Sequence, residues 1–204
     1  AETEQEEEMT TLSNRSGGTE VSTKEALTSA LVDSNISKIT LEKDIDISDA
    51  LTVNRAVKLD LNGFVLRMTG EGSVIKVEQG GNLTIADSNT ATPHKFAQNT
   101  NGLWELVDGS STSSKTVNGG IITGGKAQKG GGVYVAPGGK LHMTGGSIVG
   151  CQAKDGGGVY LDDDSQTDAS SEFTMTDSSI IGCTASGYGG GVAVNPACKF
   201  TMDN

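Results

Sequence analysis

Three versions of one phrase occupy the second half of the chain: GGKAQKGGGVYVAPGGKLHM, GCQAKDGGGVYLDDDSQTDASSEFTM and GCTASGYGGGVAVNPACKFTM. The last glycine before each valine is Gly132, Gly158 and Gly191, a period of 26 and then 33 residues. Most of the difference is one insertion, DDDSQTDASSE, after Leu161. Self-similarity at this period marks a repeat architecture, in which each unit buries its apolar face only by stacking on a neighbour.

The first half keeps nearly the same period in different words. Ile39 and Leu41, Leu51 and Val53, and Val57, Leu59 and Leu61 alternate with polar residues, as half-buried strands do. Leu51 recurs as Ile75, Val53 as Val77 and Leu59 as Leu83, each 24 residues on. Three short strands per turn of this length describe one coil of a parallel β-helix. In the later coils Val133 and Val135, Val159 and Leu161, and Val192 and Val194 are expected to point inward on one wall. Leu141 and Met143, Phe173 and Met175, and Phe200 and Met202 do so on another. A narrow aliphatic core fits a chain with 4% aromatic residues and 29 glycines.

Residues 1–21 read as a disordered acidic lead, and residues 22–204 as one β-helix domain. Within it the sequence predicts a capping helix over 23–32, coils over 36–87 and 118–204, and a β-hairpin insertion over 88–117. Ser22 and Glu25 have capping-box spacing, and Ala26, Leu27, Ala30 and Leu31 share one helical face. The helix would close the open end of the solenoid, where bare strand edges invite aggregation. Asn-Thr-Asn-Gly at 99–102 marks the hairpin turn, and Trp104, the one tryptophan, follows it. The chain stops after the strand pattern of Phe200 and Met202 with no polar cap. This predicts a fragment of a longer protein, or end-to-end self-association at the last coil.

The net charge of −11 argues against nucleic acid and anionic membranes, which need a basic face. No apolar run reaches the length of a membrane span. The acidic first residues resemble the start of a mature secreted protein, so an extracellular or wall-attached location is expected. Cys151, Cys183 and Cys198 match neither a zinc site nor a disulfide framework, and read as small apolar fillers.

With these residues in hand, the chain resembles the right-handed parallel β-helix class, the pectin-lyase-like superfamily. GGGVYV and GGGVAV are similar to the repeats of polymorphic membrane proteins and bacterial surface adhesins. Cys151 and Cys183 stand where many such repeats carry a stacked asparagine. The resemblance implies an all-β solenoid of about five coils and a secreted or surface-anchored bacterial adhesin. It also raises polysaccharide lyases and hydrolases of the same fold. Lyases of that kind use calcium-binding carboxylates and an arginine base, yet the arginines here are Arg15, Arg55 and Arg67, none in the repeats. The Gly-His-Gly and Arg-x-Lys strings of polygalacturonases are absent. Asp162, Asp163, Asp164 and Asp168 are the best local carboxylates, all in one soft insertion. That insertion departs from a calcium loop at Gln166, Thr167 and Phe173, so it reads as an acidic solvated loop.

The expectation is therefore a non-catalytic module with no cofactor, no metal and no catalytic residue. It would bind a host glycoprotein of mucin or immunoglobulin type, or a glycan, through a side wall. Tyr134 and Tyr160, at matching outward positions on successive coils, and Trp104 on the hairpin are the candidate binding residues. The tyrosines could equally form a stabilising ladder, and Trp104 could simply pin the hairpin to the rod. A carbohydrate-active enzyme and a structural spacer are the alternatives.

Overall fold

In the computed structural model, which describes residues 18–107, 113–164, 166–167 and 169–203, the alternating pattern closes into three parallel walls. Wall A stacks Thr19–Val21, Lys38–Leu41, Ala56–Asp60, Asn82–Ala86, Lys140–Met143, Glu172–Thr176 and Lys199–Asp203. Wall B stacks Ile45–Ile47, Val65–Met68, Ile121–Thr123, Ser147–Val149 and Ser179–Ile181. Wall C stacks Leu51–Val53, Ile75–Val77, Val133–Val135, Val159–Leu161 and Val192–Val194. The chain passes A, B and C in turn and completes five coils before re-entering wall A at Lys199. This is the parallel β-helix that the periodicity predicts.

Register carries the repeat into three dimensions. Leu51 pairs with Ile75 and Val53 with Val77, as the 24-residue spacing predicts. On wall A, however, Leu59 pairs with Ile85 and Val57 with Leu83. The shift from the expected Leu59 partner is two residues, which keeps every side chain on its own face. Inward residues then form columns: Val133, Val159 and Val192 on wall C, and Ile122, Ile148 and Ile180 on wall B. Phe173 and Phe200 stack with ring centroids 4.9 Å apart. The earlier coils are sealed, whereas Val194 and Met202 of the last turns are exposed.

At the other end, the helix Lys24–Val32 buries Leu27, Ala30 and Leu31 on the first coil. Its cap is Thr23, whose hydroxyl accepts from the Ala26 amide at 3.1 Å, one residue later than the predicted Ser22. The reason lies upstream. Residues 19–21, expected to be part of a disordered lead, form an edge strand paired in parallel with Lys38–Leu41 and bury Val21. That pairing holds the chain extended until Thr23. Residues 1–17 of the predicted lead lie outside the described residues. Arg55 closes the helix by donating to the carbonyls of Leu31 and Ala30 at 2.8 and 2.7 Å.

From the second coil on, wall B carries apolar residues on both faces, an arrangement the sequence reading did not anticipate. Ile45, Leu66, Ile122 and Ile148 face the core, while Val65, Ile121 and Val149 face outward, buried beneath the insertion. The insertion is a three-stranded antiparallel sheet, not the two-stranded hairpin expected: Pro93–Gln98 pairs with Trp104–Leu106 on one edge and Lys115–Asn118 on the other. Phe96, Trp104, Leu106 and Val117 form its underside. A carboxylate clasps its base. Asp87 accepts from the Gly63 amide in one coil and the Gly120 amide at the return point, both at 2.7 Å.

A second carboxylate at this corner predicts an acid limb. Buried Asp60 accepts from the amides of Asn62 and Ser88 at 3.1 and 2.9 Å and lies 3.4 Å from Lys38. Burial alone would raise its pKa, but the bonds from Ser88 and Asn62 and the approach of Lys38 outweigh it and hold the carboxyl below its ordinary value. A depressed folded-state pKa contributes stability above the ordinary carboxylate range, and that stability is lost as pH falls through the folded value. Asp60→Asn should cost roughly 1–3 kcal/mol at neutral pH. It should also flatten the decline of urea-unfolding stability between about pH 5 and pH 2.

Candidate functional site

The glycine triplets build a concave feature. In coils three to five an extra strand precedes each triplet: Lys126–Lys129, Gln152–Asp155 and Thr184–Ala185 pair in parallel as a flank sheet. The triplet then reverses the chain into wall C. Its first glycine, Gly130, Gly156 or Gly189, takes φ of 61, 67 or 65°, which side chains rarely adopt. In the first two triplets the second glycine has no room for Cβ: one on Gly131 would lie 2.5 Å from the Gly157 carbonyl oxygen and 2.8 Å from the Gln152 amide nitrogen, whereas one on Gly190 would come no closer than 3.3 Å to the Cys183 carbonyl oxygen. In the same two triplets the third is crowded too, with a Cβ on Gly158 falling 2.6 Å from the Gly191 carbonyl oxygen. Successive triplets are hydrogen-bonded, as from the Gly131 amide to the Gly156 carbonyl at 3.1 Å.

This reversal sets the flank sheet against the outer surface of wall C and leaves a groove of about 980 Å³ between them. Its lining carries Lys76, Lys126, Lys129 and Lys154 against Glu71 and Glu78. Among the described residues, no carboxylate lies within ion-pair distance of Lys76, Lys126 or Lys154. The groove is thus locally basic within a chain of net charge −11. Wall C supplies Tyr134, directly in register with Lys76.

Tyr134 and Tyr160 do stack, with centroids 6.2 Å apart and planes inclined by 16°. They are not an open platform. Tyr160 is only 7% exposed, and the Lys129 ammonium sits 4.8 Å above its ring. Asp162 draws the group together: it accepts from the Tyr134 hydroxyl at 2.7 Å, pairs with Lys129 at 3.0 Å, and accepts from the Asn195 amide at 2.9 Å. Asn195 also donates to Asp163 and accepts from the Tyr160 hydroxyl. Burial, then the hydrogen bond to and charge of Asp162, push the Tyr134 phenol well above its ordinary pKa. Burial works to lower the Lys129 pKa, but the bond and charge of Asp162 hold it above its ordinary value, so both groups stay protonated. Tyr134 borders the groove, and Tyr160 braces it from beneath.

Trp104 lies elsewhere, against the corner between wall B and the flank sheet. A Cβ on Gly182 would lie 2.6 Å from an indole carbon, and Lys115 covers the ring at 5.4 Å. The indole thereby anchors the insertion to the rod. The exposed aromatic that sequence reasoning passed over is Tyr188, at 80%. It precedes the third glycine triplet as Lys129 and Asp155 precede the first two, and its amide donates to Asp155 at 2.8 Å. That shared position was the available signal.

The residues weighed for catalysis have structural partners. Arg67 makes a two-pronged pair with Asp46 at 2.8 and 2.6 Å, and Arg55 caps the helix. Asp164 accepts from the Gln166 amide and the Thr167 hydroxyl, closing a turn within the insertion. Arg15 and Asp168 lie outside the described residues. His142 meets Thr174 at 2.6 Å, and His94 donates to the Gly63 carbonyl at 2.9 Å. Among the described residues no cluster of three metal-ligating side chains occurs.

Gly131→Ala should therefore destabilise the rod by about 1–3 kcal/mol through overpacking. In denaturant melts it should exceed the cost of Leu103→Ala, a half-buried change at the hairpin turn. A double-mutant cycle of Lys129→Met and Asp162→Asn should give a coupling of about 1 kcal/mol, modest because the Lys129 side chain is 46% exposed.

Searches of the curated proteins and of the solved structures each found no match to the chain. Its first coils do match a family: residues 18–123, from the edge strand to the return from the insertion, fit the pectate lyase-like adhesive domain. The match covers just over half of the 204 residues, and the chain belongs to the family of pectate lyase-like adhesive domains.

Proposed function

We propose that this chain is a non-catalytic adhesive module, displayed outside the cell, that binds an acidic host glycoprotein or glycan along the groove between wall C and the flank sheet. The observation that carries this reading is the gathering of Lys76, Lys126 and Lys154, with no ion-pair partner among the described residues, in one groove of an otherwise acidic molecule. Net charge acts weakly beyond a Debye length of about 8 Å in physiological salt, so a ligand seated in the groove meets the lysines and not the total. Lys76, Lys126 and Lys154 would meet sulfate or carboxylate groups, and Tyr134 would offer an apolar edge to a sugar face.

The adhesive family supports the non-catalytic reading. So does the structural engagement of Arg55, Arg67, Asp162 and Asp164. The spacer alternative gains from the insertion, which lies against the rod rather than projecting from it. The groove favours binding over a passive stalk. A surface or extracellular location follows from the adhesive reading, and no helix among the described residues is long and apolar enough to cross a membrane.

The test is binding to immobilised mucin glycoprotein by interferometry. The triple variant Lys76→Glu/Lys126→Glu/Lys154→Glu should weaken binding at least about tenfold, equivalent to about 1.4 kcal/mol. Raised salt should have the same effect on the parent, and Thr174→Glu/Thr201→Glu on wall A should have none. Removing sialic acid and sulfate from the mucin should abolish binding. Equal binding by parent and triple variant would exclude the groove, and no binding by either would favour the spacer.

A further inference from the structure

We propose that Cys151 and Cys183 are a preformed dithiol that closes into a disulfide, stapling the fourth coil to the fifth where the flank sheet begins. Read along the sequence, these cysteines are separate fillers. In the fold they are neighbours in one column. The residues after them, Gln152 and Thr184, are register partners, and the Thr184 amide donates to the Cys151 carbonyl at 2.9 Å. The glycines before them, Gly150 and Gly182, share the same left-handed turn at φ 67 and 60°. Two side chains leaving identical corners on adjacent parallel strands stand about 4.8 Å apart at Cα, within the span a disulfide bridges.

The Cys183 thiol also reaches back to the coil that carries Cys151. Cys183 Sγ lies 3.7 Å from the Ile148 carbonyl of the preceding coil, while Cys151 Sγ lies 3.8 Å from Val149 O. A hydrogen bond from Cys151 lowers the pKa of the Cys183 thiol, and the same bond, with burial, raises that of Cys151. Cys151 is fully buried and Cys183 is half-buried on the less sealed coil. The order of reaction follows. The Cys183 thiolate attacks a low-molecular-weight disulfide such as cystine, forming a mixed disulfide and releasing one free thiol. Cys151 then attacks the Cys183 sulfur and passes its proton to the departing thiolate, which leaves as the second thiol. The small disulfide is reduced to two thiols as the pair is oxidised. Cys198 has other partners, Ser171 at 3.4 Å and the Asp162 carbonyl at 3.2 Å, and takes no part.

The bond would close one full turn of the solenoid, from the flank strand of the fourth coil to wall B of the fifth, and hold the flank sheet where half-buried Ile180 and Val192 seal the core least. This inference is independent of what the groove binds. The test incubates the folded chain in cystine, quenches in acid, alkylates after denaturation and maps the peptides. The parent and Cys198→Ser should each lose two hydrogens in intact mass and yield one linked peptide joining Cys151 to Cys183. Their denaturant midpoints should move upward on oxidation, and that of Cys183→Ser should not. Three alkylated cysteines in the oxidised parent, a link through Cys198, or a bond that forms only in unfolded chain would overturn it.

Discussion

Every feature of this molecule depends on parallel main-chain pairing between one coil and the next. A parallel ladder offers each strand one set of partners above and one below, and it holds side chains of equivalent residues in columns. Columns of aliphatic residues make a core only a few side chains wide, and no coil could bury its apolar residues alone. The ladder therefore decides which substitutions matter. A change inside one coil is felt by its neighbours, and the corners tolerate only residues that let consecutive coils approach to pairing distance.

The glycine triplets are where that constraint meets function. Successive triplets reverse the chain within hydrogen-bonding distance of one another, and in the first two each glycine is needed for a different reason: backbone handedness, contact with a carbonyl, contact with the adjoining coil. The same reversal folds the flank sheet back over wall C. A requirement of packing thus creates the concavity, and the variable residues before and within the flank strands give it its charge. Lys129 and Asp162 then fix its edge by tying one coil to the next.

Pairing also explains the insertion. Val65, Ile121 and Val149 would face water if the rod were bare, because from the second coil on wall B carries apolar residues on both sides. The antiparallel sheet covers them, with Trp104 over the Gly182 corner and Asp87 tying its two ends to the coil beneath. Sequence reading placed this segment as an excursion whose tryptophan would either bind a partner or pin the hairpin to the rod. The adjacent aliphatics Ile121-Ile122, Ile148-Val149 and Ile180-Ile181 held the missing information, since contiguous apolar residues mark a parallel strand buried on both faces.

From the sequence alone, the period, the alternating residues and the glycine triplets determine the class of fold, its coil count and the inward columns of walls A and C, because these follow from local spacing. The first strand, Thr19–Val21, was invisible there: three residues acquire extended structure only from the strand beside them. The site was legible only in part. Matching positions place Tyr134 over Tyr160, but nothing local says that Lys129 and Asp162 cover them, or that Trp104 lies on another corner. Charge shows the same division. Summed along the chain it is acidic, and only the folding of flank strands against wall C brings Lys76, Lys126 and Lys154, up to 78 residues apart, to one groove. Coulomb interactions are read in ångströms, not in sequence positions, so that choice belonged to the tertiary structure.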